Sequence, residues 1–407
     1  MGSVPSRRVE CDHGGSNLTE LYDPFSRTLH EDPYPVYKTL RDDYPAYYCE
    51  ARRCWALSRF ADVWQAVHDP VTFSSAQGVF PGFGDMNNGS ILPILIMMDP
   101  PRHTQLRTLV NKAFAPRRIL DREAVIRSVA RALIDDFSPT GGLDLVENLA
   151  MPLPSIVIAD LLGVPRGDRG DFRRWSDQLI QLNPDDAERA QAFLEAGVEL
   201  TAYLDSLIGE RRPEPGDDLI SVLIRAEEDG QRLSGEEILG LCILLLVAGN
   251  ETTTNLISNS AVIFAEHPDQ WKALVVNPAL FPNAIDECLR FDSPVQALAR
   301  TLTCDIEFHG QKLRTGEKVL LIYGSANRDE REFVEPDRFD IDRAIPRQLA
   351  FGHGIHVCLG ASLARLEARV AFSELASCAP EWRISGPPHR LHSGPIRGLR
   401  TLPVSLG

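Results

Sequence analysis

The amino-acid sequence predicts a mainly α (α+β) protein, a large helical lobe with a smaller β-rich part packed against it. Three observations carry that expectation. From Arg59 to about residue 300 the apolar positions recur with helical periodicity, broken only where Pro and Gly gather, as at Pro81-Gly82-Phe83-Gly84 and Arg212-Pro213-Glu214-Pro215-Gly216. After Arg300 the apolar segments shorten and turn strand-like, in Ile306-Glu307-Phe308 and in Lys318-Val319-Leu320-Leu321-Ile322. A chain of 407 residues, 43% of them hydrophobic, is long enough to bury a substantial core. No internal repeat, low-complexity tract or Gly/Ser linker divides it, so residues 1–407 read as a single domain with residues 1–20 loosely ordered.

The elements follow in order. Tyr47 to Leu57 is rich in β-formers and interrupted by the polar turn Glu50-Ala51-Arg52-Arg53, which predicts a hairpin. Pro100 and Pro101 open a helix that places His103 and Arg107 at i and i+4 on one face. The longest helix begins with a capping box, Ser234 with Glu237, and stops at His267-Pro268, giving around thirty residues and about 45 Å. Its centre is apolar on every side, the mark of a buried helix, yet it holds Ala248-Gly249-Asn250-Glu251-Thr252-Thr253. Burying an acid and hydroxyls without partners costs several kcal/mol, so these groups are expected to serve a function. Ala248 and Gly249 are small enough for a flat cofactor to lie close and leave room for a diatomic ligand. Thr252, one turn beyond Ala248, can bond such a ligand or bond back to a carbonyl. Further on, Glu287 and Arg290 stand at i and i+3 and can pair.

Charge and cysteine usage exclude other classes. A net charge of −15 argues against nucleic acid as a general partner, because phosphate binding needs a basic face. The eight cysteines form no CxxC pair and no regular framework, which predicts free thiols in a reducing compartment. The Asn17-Leu18-Thr19 and Asn88-Gly89-Ser90 sequons are then chance matches. The first thirty residues carry no apolar h-region, and the longest apolar run, Ile238 to Gly249, falls short of the ~20 residues a membrane span needs. The expectation is a cytoplasmic monomer without a membrane anchor.

One segment carries the chemistry. Phe351-Gly352-His353-Gly354-Ile355-His356-Val357-Cys358-Leu359-Gly360 sets a cysteine among three glycines, beneath an aromatic ring and before a helix that opens at Ala361. A thiol acts as a ligand only as thiolate, and this segment is expected to favour the anion. The glycines let backbone N–H groups turn towards sulfur, a helix N-terminus aims at it, and Phe351 keeps water away. Such a thiolate suits a haem iron, where it pushes electron density towards dioxygen and favours O–O cleavage. For a lone cysteine the bland alternative is a structural thiol in a glycine-rich turn.

Every specified position of Phe-Gly-x-Gly-x-His-x-Cys-x-Gly is matched, and the segment resembles the cysteine-ligand loop of the cytochrome P450 family in its soluble bacterial, class I form. Ala248-Gly249-Asn250-Glu251-Thr252-Thr253 is similar to the family's Ala-Gly-x-Asp/Glu-Thr-Thr oxygen-activation motif, and Glu287-Cys288-Leu289-Arg290 to its ExxR. Asp99-Pro100-Pro101-Arg102-His103 with Arg107 resembles the Asp-Pro-Pro-x-His-x-x-x-Arg segment of bacterial members. Phe73-Ser74-Ser75, Ala326-Asn327-Arg328-Asp329 and Phe339-Asp340 extend the likeness along the chain.

The resemblance implies the cytochrome P450 fold, with haem b between the long helix and the cysteine loop and its iron ligated by the Cys358 thiolate. It makes Glu251 and Thr252 the catalytic pair that manages protons and gives Glu287 and Arg290 a structural role. It sets His103, Arg107, Arg300 and His356 on the haem propionates, where arginine's fork makes two parallel bonds. Phe351, Ala248, Gly249 and Gly360 border the cofactor. The implied activity is a monooxygenase that inserts one oxygen atom of O2 into a lipophilic small molecule, a fatty acid, terpenoid, steroid or polyketide-like substrate, by hydroxylation or epoxidation. By family position the pocket takes Phe80, Phe83, Ile91, Leu95, Val247, Ala248, Val295, Gln296, Ala297 and Ile396, with Gln296 the one polar group to orient a substrate oxygen. No flavin-binding or cysteine-ligated iron–sulfur segment is present, so electrons are expected from a ferredoxin and its NAD(P)H reductase. A basic patch of Lys112, Arg117, Arg118, Arg343, Arg347, Arg365 and Arg369 would steer that partner. Two rivals are a peroxide-dependent or non-oxygenating haem enzyme of the same fold, which an intact Glu251-Thr252 argues against, and a non-enzymatic haem sensor, which needs no buried proton relay.

Overall fold

The computed structural model describes residues 20–79, 94–114, 116–136, 142–180, 187–228, 231–392, 394 and 396–406. Phe80, Phe83 and Ile91, together with residues 1–19 of the start expected to be loose over 1–20, lie outside the described residues. Within them the fold is mainly helical with small sheets, as the sequence predicts.

The organising element is the helix Gly235–Glu266, 32 residues long. Both halves of its capping box form: the Ser234 hydroxyl accepts the Glu237 N–H at 3.1 Å, and the Glu237 carboxylate accepts the Ser234 N–H at 2.8 Å. At its other end the His267 N–H bonds the Ile263 carbonyl, and Pro268 begins the next helix, where its missing N–H costs nothing. Helices Pro152–Leu162, Ala187–Arg211, Phe281–Phe291 and Ala361–Cys378 pack around it. Every residue from Leu256 to Phe264 is buried, and the largest apolar cluster gathers there. By length and composition this is the one described helix able to cross a membrane, and it is instead the core of the helical lobe.

The β-rich part fixes the flank of the site. Ala46–Cys49 and Cys54–Leu57 form the predicted hairpin, with Cys49 registered against Cys54. Lys318–Leu321 joins parallel to Cys54–Leu57, Leu298–Leu302 joins antiparallel to that, and the short Phe73–Ser74 closes the edge. Arg300 is thereby held opposite Val319 inside a sheet rather than on a loop.

A buried ion pair links the helical lobe to the segment before the cysteine loop. Glu287 and Arg290, both wholly buried, join by two bonds, Nε to Oε2 at 2.7 Å and Nη2 to Oε1 at 2.8 Å. The remaining Arg290 nitrogen donates to the carbonyls of Asn327 and Pro336, each at 2.9 Å. Glu287 in turn accepts the Asp340 N–H at 3.1 Å and Arg343 Nε at 3.0 Å. A buried pair is tolerable only when its spare donors and acceptors are satisfied, and here backbone groups and Arg343 satisfy them.

Candidate active site

The cysteine loop is shaped by two glycines in the left-handed region, Gly352 and Gly354. Gly354 sits at φ +69°, and a Cβ there would lie 2.2 Å from the Val67 carbonyl oxygen. Gly352 is also left-handed, at φ +62°. The Cys358 N–H donates to the Phe351 carbonyl at 2.9 Å and closes the loop. The Phe351 ring packs on the core and carries the Arg365 guanidinium 4.6 Å from its centre. Gly360, by contrast, has an ordinary backbone, and a Cβ on it would meet no atom within 4 Å. The free space over Gly360 is what a flat cofactor lying on the loop requires.

The thiol itself is deeply enclosed yet keeps accessible surface, so it borders an internal space. Burial pushes the Cys358 thiol up from its ordinary range, opposed by the N–H groups of Gly360 and Ala361 and by the charges of Arg107 and Arg365. The N–H groups act in the direction the sequence predicts, and burial acts against them. A bound metal cation would act in the same direction as these dipoles and favour the thiolate.

On the long helix, Leu244, Val247, Ala248, Glu251 and Thr252 retain accessible surface while their neighbours Leu245, Leu246, Asn250 and Thr253 are buried. Their spacing puts them on one face. Thr252 Oγ1 donates to the Ala248 carbonyl at 2.5 Å. Glu251 Oε1 is buried without a partner, and burial pushes the carboxyl up to about 7. On the opposite face Asn250 Nδ2 donates to Ser155 Oγ at 2.7 Å and Thr254 Oγ1 to the Ala150 carbonyl at 3.1 Å, which anchors the helix. Gly249 belongs to that anchoring. A Cβ on it would press on Ile158 Cδ1 at 3.3 Å, so its small size also serves helix packing.

Four groups able to carry positive charge gather with no carboxylate bonded to them among the described residues. His103 is buried with neither ring nitrogen bonded, and its ring centre stands 4.3 Å from that of His356, whose Nε2 is also unpartnered. Arg107 donates to the Val357 carbonyl at 2.7 Å and Arg300 to the Ala299 carbonyl at 2.8 Å; neither joins an ion pair among the described residues. Burial, then Arg300, His103 and Arg107, push His356 down to about 3. Such mutual repulsion fits an occupant that brings carboxylates. Tyr323, unremarked in the sequence, is buried within hydrogen-bonding reach of Arg300, and nothing in its local sequence marks it.

The expected pocket residues divide. Val247 and Ala248 lie on the accessible stripe, and half-buried Val295 and Ile396 meet in a backbone bridge. Leu95 is buried in the main core on a turn that packs against the long helix. Two expectations fail. Gln296 is buried, accepting the Tyr37 hydroxyl at 2.9 Å and donating to the Ser293 carbonyl at 2.6 Å, so its amide is turned into the fold. Ala297 is 1% exposed inside the cluster of Tyr37, Leu40 and Ile322. The basic patch shrinks as well: Arg343 bonds Glu287, Arg347 bonds Glu332, Arg365 bonds Asp286 and Arg369 bonds Glu123. Arg117 and Arg118 remain exposed, and the Lys112 side chain lies outside what is described.

An enclosed thiol beside N–H groups and basic side chains, with no carboxylate bonded to those side chains, fits an iron porphyrin held through sulfur: a haem-thiolate oxygenase. The chain belongs to the cytochrome P450 family, whose profile, Cytochrome P450, matches residues 56–277 and 278–376. It is 42% identical to cytochrome P450 YjiB of Bacillus subtilis, over 96% of each chain. It is 41% identical to the Vitamin D(3) 25-hydroxylase of Pseudonocardia autotrophica, over 96% of this chain and 97% of that one. The crystal structure of CYP109E1 from Bacillus megaterium in complex with testosterone superposes with a TM-score of 0.85 at 38% identity, covering 92% of this chain and 99% of the other. Membership makes the protein a monooxygenase with haem b, its iron ligated by the thiolate of Cys358.

Proposed function

We propose that this enzyme, one P450 domain acting in the cytoplasm, hydroxylates or epoxidises a lipophilic molecule of steroid type, with electrons from a ferredoxin and its NAD(P)H reductase. The observation that carries the reading is the stripe on the long helix. Leu244, Val247 and Ala248 offer only hydrocarbon, with Val295 and Ile396 the accessible members of the other expected wall, and the stripe's polar groups are Glu251 and Thr252 alone. Such a surface excludes water from an apolar substrate and holds it by area rather than by directed bonds. The vitamin D hydroxylase and the testosterone complex among its relatives support the steroid class.

When bound, the haem supplies dioxygen binding and O–O cleavage, driven by electron donation from sulfur. His103, Arg107, Arg300 and His356 hold its propionates, Phe351, Ala248 and Gly360 border it, and the Glu287–Arg290 pair keeps the ligand loop in place. Thr252 has committed its hydroxyl proton to Ala248, so its lone pairs are free to accept a bond in the site. Glu251 keeps a proton up to about pH 7 and passes it along the stripe towards Thr252.

A spectral titration tests the substrate class. Steroids should give a saturable low-to-high-spin shift in the purified protein. Shifts with fatty acids alone, and none with any steroid, would overturn it.

A further inference from the structure

The outer side of the cysteine loop rests on the end of a helix that none of the chemical motifs includes. Helix Phe60–His68 presents its last turn to Gly354, whose missing Cβ makes room for the Val67 carbonyl. One residue on, His353 Nδ1 stands 2.8 Å from His68 Nε2. The Trp64 ring flanks both imidazoles, 4.3 Å from His353 and 4.6 Å from His68, centre to centre. His68 Nδ1 lies 2.7 Å from the Trp64 carbonyl, which can only accept. The neutral His68 therefore carries its proton on Nδ1 and offers a lone pair at Nε2, and His353 Nδ1–H must be the donor between the rings.

We propose that His68 and His353 are positioning residues for the haem ligand: their bridge holds the loop between Phe351 and Cys358 against helix Phe60–His68, and protonation of both rings releases it. One proton leaves an N–H to N bond intact and charge-assisted. A second sets two donors face to face. Both rings are exposed, so solvent protons reach them without opening the fold. Burial and then His68 hold His353 below its ordinary range, which places the release on the acid side. The other charges near the bridge are already engaged. Arg347, over the Trp64 ring, is paired with Glu332, and Asp69 accepts the Thr72 N–H at 3.0 Å. On the loop's inner side stand His356, His103 and Arg107. The segment so braced is the one the Cys358 N–H to Phe351 carbonyl bond spans, so its shape sets how the sulfur is presented.

The inference rests on Cys358 as the haem ligand and deepens that assignment. Its test measures haem transfer to a scavenging apo-globin, and the ferric–ferrous potential, from about pH 5 to 8. The proteins are wild type, His68→Phe, His353→Phe, the double variant and His68→Gln. Each Phe variant should lose haem about fivefold faster at neutral pH, the worth of one hydrogen bond. The double variant should be no worse than either, and His68→Gln should restore retention through its amide oxygen. Wild type alone should show an acid limb in both measurements. Additive losses, wild-type retention in the single variants, or an acid limb that survives them would overturn the bridge. The carbon-monoxide spectrum of the same samples separates this from a failure of ligation: a thiolate band in wild type with unchanged variants rejects only the bridge.

Discussion

The Thr252 hydroxyl donates to the Ala248 carbonyl at 2.5 Å, one turn back on the long helix and on its accessible face. That bond fixes the threonine as an acceptor towards the site. Thr252→Ala should keep haem content and substrate affinity but lower product per electron pair about tenfold, with peroxide making up the difference, while Thr252→Ser stays close to wild type. Measuring peroxide and product against NAD(P)H consumed checks this, and unchanged coupling in Thr252→Ala would remove the residue from proton delivery.

Glu287→Ala leaves Arg290 charged, wholly buried and without its bidentate partner. Stranding one member of such a pair costs about 3–5 kcal/mol. The variant should unfold at lower denaturant concentration and incorporate little haem. Denaturant titration of wild type and variant provides the comparison.

Glu367 is 2% exposed on the helix Ala361–Cys378, its Oε2 bonds nothing, and burial pushes it up from 4.5 to about 8. Unfolded, this carboxyl ionises near 4.5; folded, it keeps its proton to about 8. Between those values the folded state binds the extra proton, so stability falls as pH rises and levels off above about 8. Glu367→Gln should remove up to about 5 kcal/mol of that dependence. Melting temperatures across this range decide it, and parallel curves for the two proteins would contradict the assignment.

Arg117 and Arg118 lie exposed on Pro116–Leu120, which packs against the helix that follows Cys358. Reversing both to Glu should slow reduction by an acidic ferredoxin several-fold at low salt, with the two rates converging at high salt. Reversing Arg347 should instead break its bonds to Glu332 and act mainly on stability. Stopped-flow reduction at several ionic strengths distinguishes the two effects.

Local chemistry was legible in the sequence where it depends on spacing alone. The glycines of the cysteine loop, the capping box at Ser234 and the pairing of Glu287 with Arg290 each follow from residues a few positions apart. What spacing did not show is the set of partners supplied from other elements of the fold. Gly249 meets Ile158, Gln296 is taken by Tyr37, and the arginines at 343, 347, 365 and 369 are neutralised by Glu287, Glu332, Asp286 and Glu123. The loop's bracing by His68 was invisible for the same reason, since 285 positions separate it from His353.

The most direct test of the account is the carbon-monoxide difference spectrum of the reduced protein, wild type beside Cys358→His. Wild type should show the long-wavelength Soret band of thiolate ligation, and the variant should keep haem on its four basic groups while losing that band. A thiolate band that persists in Cys358→His, or none in wild type, would contradict it.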